Sequence, residues 1–236
     1  MIDLINFEKT CDCTSFTLLI PSVAVGNIGQ LTADLIITTY NLQRYARLWH
    51  PGILSLASGD PYDLNSNTLS TACELYINEE LKLAVLQLRS SIDTKFAHNF
   101  FTELKEKVTE LKFGNVIIIT STFAYELHTI ESSHFRHIGG ETTASSIPAM
   151  DVDENGKYLV VGSGFAVKLY EILRKSIPCM VLIKYVSEGD NIPDAVATLD
   201  VLCEMVHGMS DRDRFQIKYP ISWNFVFGNP PPVGIY

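Results

Sequence analysis

The chain has 236 residues, 47% of them hydrophobic, and carries a formal net charge of −9 at pH 7. This length fits one hydrophobic core better than two, so we predict a single domain over residues 1–236. The acidic charge argues against nucleic acid as a partner, whereas the high apolar share indicates a large core, an apolar interface or both.

Targeting and cysteine patterns predict a location in the cytoplasm and nucleus. No uninterrupted apolar run reaches about 18 residues, the length that crosses a bilayer. Asp3 and Glu8 interrupt the first residues, where a signal peptide is basic and then apolar. The five cysteines are odd in number and scattered, which fits a reducing compartment better than a disulfide framework.

The first part of the chain is predicted to contain several short strands and one helix. An apolar run at 16–20 stops at a proline, and a turn of small residues then leads to an amphipathic helix over 30–40. β-Branched and aromatic content predicts further strands, at 45–49, 53–57, 74–78 and 83–88. A hairpin or an antiparallel edge among these strands is left open.

The clearest helix is predicted over 94–112. Apolar side chains recur there at intervals of three or four residues, and charged side chains fill the opposite face. Gly114 is predicted to end this helix, and the Val/Ile run at 116–120 predicts a strand that is buried on both faces. Residues 123–153 show little periodicity and are predicted to form an exposed loop.

The rest of the chain predicts two strand–turn–helix units and a tail. The units comprise a strand at 158–161, a turn at 162–164, a helix at 165–175, a strand at 180–186 and a helix at 195–207. Their succession favours a layered α/β/α sandwich with a mostly parallel central sheet. Aromatic residues and three consecutive prolines predict that 218–236 form an extended C-terminal tail.

Two glycine turns are incomplete versions of known ligand loops. Gly26, Asn27 and Gly29 lie between a predicted strand and helix, where backbone N–H groups can hold a phosphate. Both the third glycine of the dinucleotide fingerprint and the Gly-Lys-Ser/Thr of a P-loop are missing. Ser163 lacks the glycines two positions either side that a nucleophile elbow needs. Both segments are predicted to be tight turns, with a phosphate loop at 26–29 as the alternative.

The histidines and cysteines do not predict a metal site. His134 and His137 are separated by two residues, and Cys11 and Cys13 by one. Neither pair has a second pair at the spacing of zinc ligands. We therefore expect no bound metal and no cofactor.

An acidic turn follows the strand predicted at 180–186. Glu188, Asp190 and Asp194 are close enough in sequence to suggest a cation site or an acid/base pair. They also suit the beginning of a helix, in which Asp190 or Asn191 is the cap and Pro193 lies in the first turn. The helix interpretation is preferred, so we expect no catalytic residues.

Three segments resemble the proteasome assembly chaperone 2 family in order and approximate spacing. They read FTLLIPSVAVGNIGQL at 16–31, LQLRS at 86–90 and, most specifically, SEGDNIPDA at 187–195. The resemblance implies a non-enzymatic chaperone that pairs with proteasome assembly chaperone 1 and binds α subunits of the 20S core particle. It also implies that the pair promotes α-ring formation and blocks off-pathway ring dimers.

The resemblance also bears on the two turns. The residues concerned are expected to define the fold and can border the heterodimer interface; they are Gly26, Asn27, Gly29, Glu188, Gly189, Asp190, Asn191 and Pro193.

The C-terminus leaves two hypotheses open. Some proteasome-binding proteins insert a tail that ends hydrophobic, Tyr, any residue between α subunits, where a lysine meets the carboxylate. This chain ends Val233-Gly234-Ile235-Tyr236, so its tyrosine is terminal where the pattern has it penultimate. Docking of this tail is one hypothesis, and contact of the tail with its own domain or its partner is the other.

Two other functions compete with the chaperone. One is an enzyme that handles phosphates or nucleosides, using the turn at 26–29 and Glu188 or Asp190. The other is a general scaffold unrelated to proteasomes, in which the three segments serve only the fold.

Overall fold

The computed structural model describes residues 2–6, 11–127, 133–140, 147–210 and 215–225. Within these residues, eight strands form one mixed sheet. Their order across the sheet is β1 (Asp3–Asn6), β3 (Gln43–Trp49), β6 (Cys73–Asn78), β7 (Leu83–Leu88), β2 (Thr17–Pro21), β8 (Asn115–Phe123), β10 (Cys179–Val186) and β9 (Phe135–Ile138). A separate ribbon pairs β4 (Ala57–Ser58) with β5 (Ser70–Thr71).

The sheet is parallel in its centre and antiparallel at its flanks. β7, β2, β8 and β10 are parallel neighbours. β6 and β3 extend the sheet antiparallel on one side with β1 at the edge, and β9 is the antiparallel edge strand on the other. Every residue of β10 is buried, as expected for a strand covered by helices on both faces.

Helices cover both faces of this sheet. The helices are α1 (Ile28–Thr39), α2 (Ala97–Glu110), α3 (Ala166–Leu173) and α4 (Ile192–Met205). α1 and α4 contact each other over one face, while α2 and α3 contact each other over the other. The predicted layered α/β/α sandwich is therefore confirmed, as is the parallel character of its central strands. Within the described ranges, no helix combines the length and the apolar composition needed to span a bilayer.

The alternation of side chains along β8 divides the core into two parts. Val116 and Ile118 belong to the apolar cluster beneath α2 and α3, and Ile117 and Ile119 belong to the cluster beneath α1 and α4. Successive side chains of a strand point to opposite faces, so a continuous Val/Ile run supplies both cores at once.

The end of α2 differs in detail from its prediction. The helix ends at Glu110, and the reversal of the chain occurs at Lys112, which has a φ of +59°. Gly114 serves close approach, because a Cβ there would lie 3.0 Å from the Cα of Ser15. The predicted glycine stop is therefore wrong, although the helix itself is confirmed.

Three predicted elements need correction. The strand predicted at 53–57 contributes only its last residue to β4, and Ile53 forms an isolated bridge. The segment at 158–161 is not a strand, because β8 and β9 already occupy both edges of β10. The predicted loop at 123–153 contains the short strand β9, whose Arg and His obscured its pattern.

The beginning of the predicted tail contacts its own domain. Ile221–Phe225 form a short 3-10 helix where extended chain was predicted. The backbone N–H of Lys218 donates to Oγ1 of Thr39 at 3.1 Å, and that of Ser222 donates to the carbonyl of Pro61 at 3.2 Å. The remaining tail, including Val233, Gly234, Ile235 and Tyr236, lies outside the described residues.

Candidate protein-interaction surface

The two turns singled out in the sequence lie beside each other at the carboxyl ends of the parallel strands. The first follows β2 and the second follows β10. Gly26 has a φ of +67°, and a Cβ there would lie 2.6 Å from Nδ2 of Asn191. Only glycine adopts this conformation without strain and leaves room for the neighbour. The amide of Asn191 therefore occupies the space over the first turn.

The other residues of the first turn set helix α1 against the sheet. Asn27 has a φ of +53° immediately before α1, a left-handed conformation that asparagine tolerates. A Cβ at Gly29 would lie 2.9 Å from the carbonyl oxygen of Ile119 and 3.0 Å from that of Ser22. The glycine spacing of this turn thus allows the close approach of helix and strands.

Two of the backbone N–H groups at this turn already have partners within the chain. The N–H of Val25 donates to the carbonyl of Gly162 at 3.1 Å, and that of Asn27 donates to the carbonyl of Ala24 at 3.1 Å. The hydroxyl of Ser121 donates to the carbonyl of Val25. These bonds favour a structural turn over a phosphate loop, because an anion site needs free N–H groups.

The second turn begins helix α4. Oδ1 of Asp190 accepts the N–H of Ile192 at 3.1 Å, and Pro193 lies in the first turn of the helix. Asn191 makes no side-chain capping bond and instead donates to the carbonyl of Gly189 at 3.3 Å. Of the two predicted caps, only the aspartate accepts a hydrogen bond from the start of the helix.

The carboxylates of this segment do not form a pair. Asp194 lies on α4, where its Oδ1 is 3.3 Å from Nζ of the buried Lys184 on β10. Glu188 is exposed in the turn. Because Asp194 neutralises a buried ammonium group, its position is explained by the fold.

The turn around Ser163 is likewise structural. The Ser163 hydroxyl donates to the carbonyl of Val160 at 2.7 Å, and the residue is 4% exposed. Its own carbonyl accepts the hydroxyls of Ser22 at 2.8 Å and Thr120 at 2.9 Å. A Cβ at Gly164 would lie 2.1 Å from the carbonyl oxygen of Val23. The serine therefore lacks the exposure of a nucleophile.

The histidines and cysteines do not assemble into a cluster. Among the described residues, no group of three or more His, Cys, Asp or Glu side chains is arranged to hold a metal ion. Nδ1 of His137 is bonded to the carbonyl of Gly139 at 3.0 Å. Burial raises the pKa of Cys13 to about 12, so its thiol stays protonated and weakly reactive near neutral pH.

A buried polar network fastens α1 to the sheet and to the loop between β4 and β5. Oδ1 of Asp34 accepts bonds from Gln87 at 2.7 Å, from Arg89 at 2.7 Å and from the hydroxyl of Tyr62 at 2.6 Å. Burial by itself would lower the pKa of the Arg89 guanidinium. The negative charge of Asp34 and its hydrogen bond, together with Tyr62, outweigh this effect, so the pKa is raised. Burial, followed by Asp34, raises the pKa of Tyr62.

The same loop is held by a second charged cluster. Glu74 is 1% exposed and accepts the hydroxyl of Tyr76 at 2.6 Å and the N–H of Thr71 at 2.9 Å. Arg44 lies 3.5 Å from Glu74 and 2.7 Å from Asp60. Neither cluster was predicted from the sequence, although Gln87 on β7 and Arg89 just after it lie within a segment that resembles a known family.

An exposed apolar surface lies at the carboxyl ends of β8 and β10. We call Tyr125, Val152, Leu159 and Val161 the carboxyl-end patch; their exposed fractions are 70%, 51%, 73% and 43%. The ring of Phe123 stacks on Tyr125 with centroids 4.9 Å apart. The hydroxyl of Thr122 donates to the carbonyl of Val161 at 2.7 Å, which joins the two segments. Exposed apolar side chains grouped in this way indicate a protein-interaction site.

Comparison with known proteins places this architecture in a family. The model of the PAC2 family matches residues 18–211. The chain belongs to the PAC2 family. The PAC2 match includes both turns, the Asp34–Arg89 network and the carboxyl-end patch, while residues 233–236 lie beyond it.

Relatives and solved structures agree with the PAC2 assignment. Proteasome assembly chaperone 2 of Mus musculus is 32% identical and that of Homo sapiens 31%, each over 97% of this chain and 98% of the relative. Pyrococcus furiosus PbaA, an archaeal homolog of proteasome-assembly chaperone, has a TM-score of 0.65 at 12% identity, with 88% of this chain and 86% of that chain covered. Pyrococcus furiosus PbaB, an archaeal proteasome activator, has a TM-score of 0.64 at 13% identity, with 90% and 93% covered. At these identities the two structures show the PAC2 fold.

Proposed function

We propose that the chain is a non-enzymatic chaperone for assembly of the 20S proteasome, and that it works in the cytoplasm and nucleus. The observation that carries this proposal is similarity over 97% of the chain to proteins named proteasome assembly chaperone 2. The site geometry supports it, because the glycine turns and Ser163 take part in internal hydrogen bonds. The carboxyl-end patch is an exposed apolar surface of the kind that binds a protein partner.

The proposed partners are proteasome assembly chaperone 1 and the α subunits of the 20S core particle. The heterodimer binds α subunits, promotes α-ring formation and prevents off-pathway ring dimers. Support comes from the exposed Tyr125 and Leu159, which are poorly suited to contact with water. This function requires two binding surfaces on the chain, one for chaperone 1 and one for the α ring.

The C-terminal tail is the proposed contact with the α ring. The 3-10 helix Ile221–Phe225 is anchored against the domain through Ser222. The eleven residues at 226–236 that follow can span at most about 40 Å when extended, enough to reach a pocket between two subunits. Ile235 and Tyr236 supply the apolar and aromatic side chains of such a tail, and the alternative is that they contact their own domain.

Reconstitution tests the assembly function and the role of the tail. The purified chain, proteasome assembly chaperone 1 and 20S α subunits are mixed and separated by size exclusion. We expect one complex that contains all three. Deletion of Ile235 and Tyr236 should weaken α-subunit binding at least about tenfold, because an anchor residue is lost, while binding to chaperone 1 is unchanged.

A matched variant sharpens the tail experiment. Appending one alanine after Tyr236 moves the tyrosine to the penultimate position of the known tail pattern, and tighter α-subunit binding is expected. Unchanged binding in both the deletion and the extension would reject tail docking. Absence of any complex with the intact chain would reject the assembly function itself.

A further inference from the structure

A groove runs beside the carboxyl-end patch and combines apolar walls with carboxylates. Its volume is about 350 Å³, and Val152, Leu159 and Val161 contribute to its walls. Tyr185 and Met150 also line it, with the tyrosine hydroxyl 3.9 Å from the methionine sulfur. The groove therefore continues the exposed apolar surface inward.

The charges around this groove are predominantly negative. Glu126, Asp151 and Asp153 line it, and its cation is Arg136. The guanidinium of Arg136 lies 5.6 Å from the ring centre of Tyr185 and donates to the carbonyl of Ser133 at 2.7 Å. One of the three carboxylates, that of Asp153, accepts backbone N–H groups of its own turn. Glu126 and Asp151 make no ion pair with any residue of the described chain.

Neighbouring segments add to the negative charge. The turn after β10 contributes Glu188 and Asp190, both exposed. Glu154 and Lys157 follow the groove-lining Asp153 and balance each other. Since the whole chain carries a formal charge of −9, the carboxyl-end surface shares the sign of the molecule.

This charge distribution discriminates between possible occupants. In a symmetric dimer of identical chains the same patch faces itself, so the acidic border of the groove in one copy would meet the acidic border in the other. Like charges brought together at an interface cost several kcal/mol. A different chain with basic side chains around an apolar centre is complementary to both the apolar patch and its acidic border.

We propose that the carboxyl-end patch and its groove form the heteromeric interface of this chain, and that the occupant is a second protein with an arginine or lysine beside apolar side chains. The basic side chain enters the groove between Glu126 and Asp151, and the apolar ones cover Tyr125 and Leu159. Interfaces between lasting partners are rich in aliphatic and aromatic side chains, like those exposed in this patch. This inference rests on the proposed function, in which the partner is proteasome assembly chaperone 1.

Substitution of the patch is the first test, with purified proteasome assembly chaperone 1 as the probe. Tyr125→Ser and Leu159→Ser should each weaken binding at least about tenfold, as expected for central apolar anchors. Leu64→Ser and Tyr219→Ser are matched controls, because these side chains are 60% and 55% exposed and lie outside the groove. Both controls should bind like the unmodified chain.

Reversal of charge is the second test. Glu126→Lys with Asp151→Lys should weaken binding to chaperone 1 and reduce its dependence on salt. Glu106→Lys with Glu204→Lys changes the net charge equally at exposed positions of α2 and α4, and should leave binding within about twofold. Equal losses from both pairs would overturn the specific role of the groove.

If the patch is covered by something other than chaperone 1, these measurements should give different results. A tight dimer of the chain alone in sedimentation equilibrium, dissociated by Leu159→Ser, would show that a second copy covers the patch and overturn the proposal. Loss of stability in the isolated Leu159→Ser chain with unchanged partner binding would show that the chain covers its own patch, which also overturns it. If the unmodified chain fails to bind chaperone 1, the proposed pairing and this interface both fail. If it binds and all patch variants bind equally, only the interface fails.

Discussion

At the scale of single residues, the contact between Gly26 and Asn191 joins two turns that are far apart in sequence. The space that a side chain at Gly26 would need is occupied by the Asn191 amide, 2.6 Å from the position of a Cβ. The left-handed φ of +67° adds a second constraint. Glycine is therefore required here for two independent reasons, and both concern the fold.

Gly26→Ala should lower the free energy of unfolding by about 2 kcal/mol, from the strained backbone and the clash together. Urea denaturation measures the change. Gly59→Ala is the control, because nothing lies within 4 Å of its Cβ position and its φ is not left-handed; its effect should stay within about 0.5 kcal/mol. Asn191→Ala in the Gly26→Ala background should recover the part that is due to the clash. Equal effects of Gly26→Ala and Gly59→Ala would show that the two turns do not meet as described.

At the scale of elements, ionic contacts hold α1, β7 and the loop between β4 and β5 together. Asp34 belongs to the helix, Arg89 follows the strand, and Tyr62 belongs to the loop. The loop is also tied to β3 and β6 through Arg44 and Glu74. A connection of this length would be mobile without such contacts. The network therefore gives the long β4–β5 excursion a fixed position.

Asp34→Ala should destabilise the fold by about 3 kcal/mol, because it leaves the largely buried guanidinium of Arg89 without its carboxylate partner. Thermal and urea unfolding measure the loss. Asp34→Leu combined with Arg89→Met should recover much of it, since an apolar pair of similar volume avoids the buried charge. Glu171→Gln is the control, because its pair with Arg174 is exposed at the surface and should matter by less than about 1 kcal/mol. A loss from Asp34→Ala no larger than that of the control would contradict the network.

The elements also show what the sequence can predict. The helix α2 and the strands β8 and β10 follow from local periodicity and composition, because each buries a continuous apolar face. β9 was not predicted, since a four-residue edge strand with half-buried polar residues has no clear pattern. The segment at 158–161 has apolar residues, but β8 and β9 already pair with both edges of β10, and Leu159 and Val161 are exposed instead of paired.

At the scale of the whole molecule, sequence predicted the layers but not the assembly of the candidate site. The parallel centre follows from buried runs, while the antiparallel flank depends on how the chain returns after β3, which no local pattern specifies. The turns near Gly26 and Asn191, and the patch residues Tyr125 and Leu159, come together only through the sheet order. Residues so far apart in sequence become neighbours only in the folded chain, so their proximity could not be predicted. In the sequence alone, an exposed apolar side chain also looks the same as a core residue.

Binding of a partner to this patch should change the stability of the entire domain. A ligand that binds only the folded chain, present at a hundred times its Kd, stabilises it by about 2.7 kcal/mol. Proteasome assembly chaperone 1 should therefore raise the unfolding midpoint of the chain in denaturant titrations. The double variant Tyr125→Ser with Leu159→Ser should unfold alone like the unmodified chain, because both side chains are largely exposed, yet lose this stabilisation. The double variant Leu64→Ser with Tyr219→Ser should retain it. If the patch variant is still stabilised by chaperone 1, the partner binds another face, because binding at any site of the folded chain raises its free energy of unfolding.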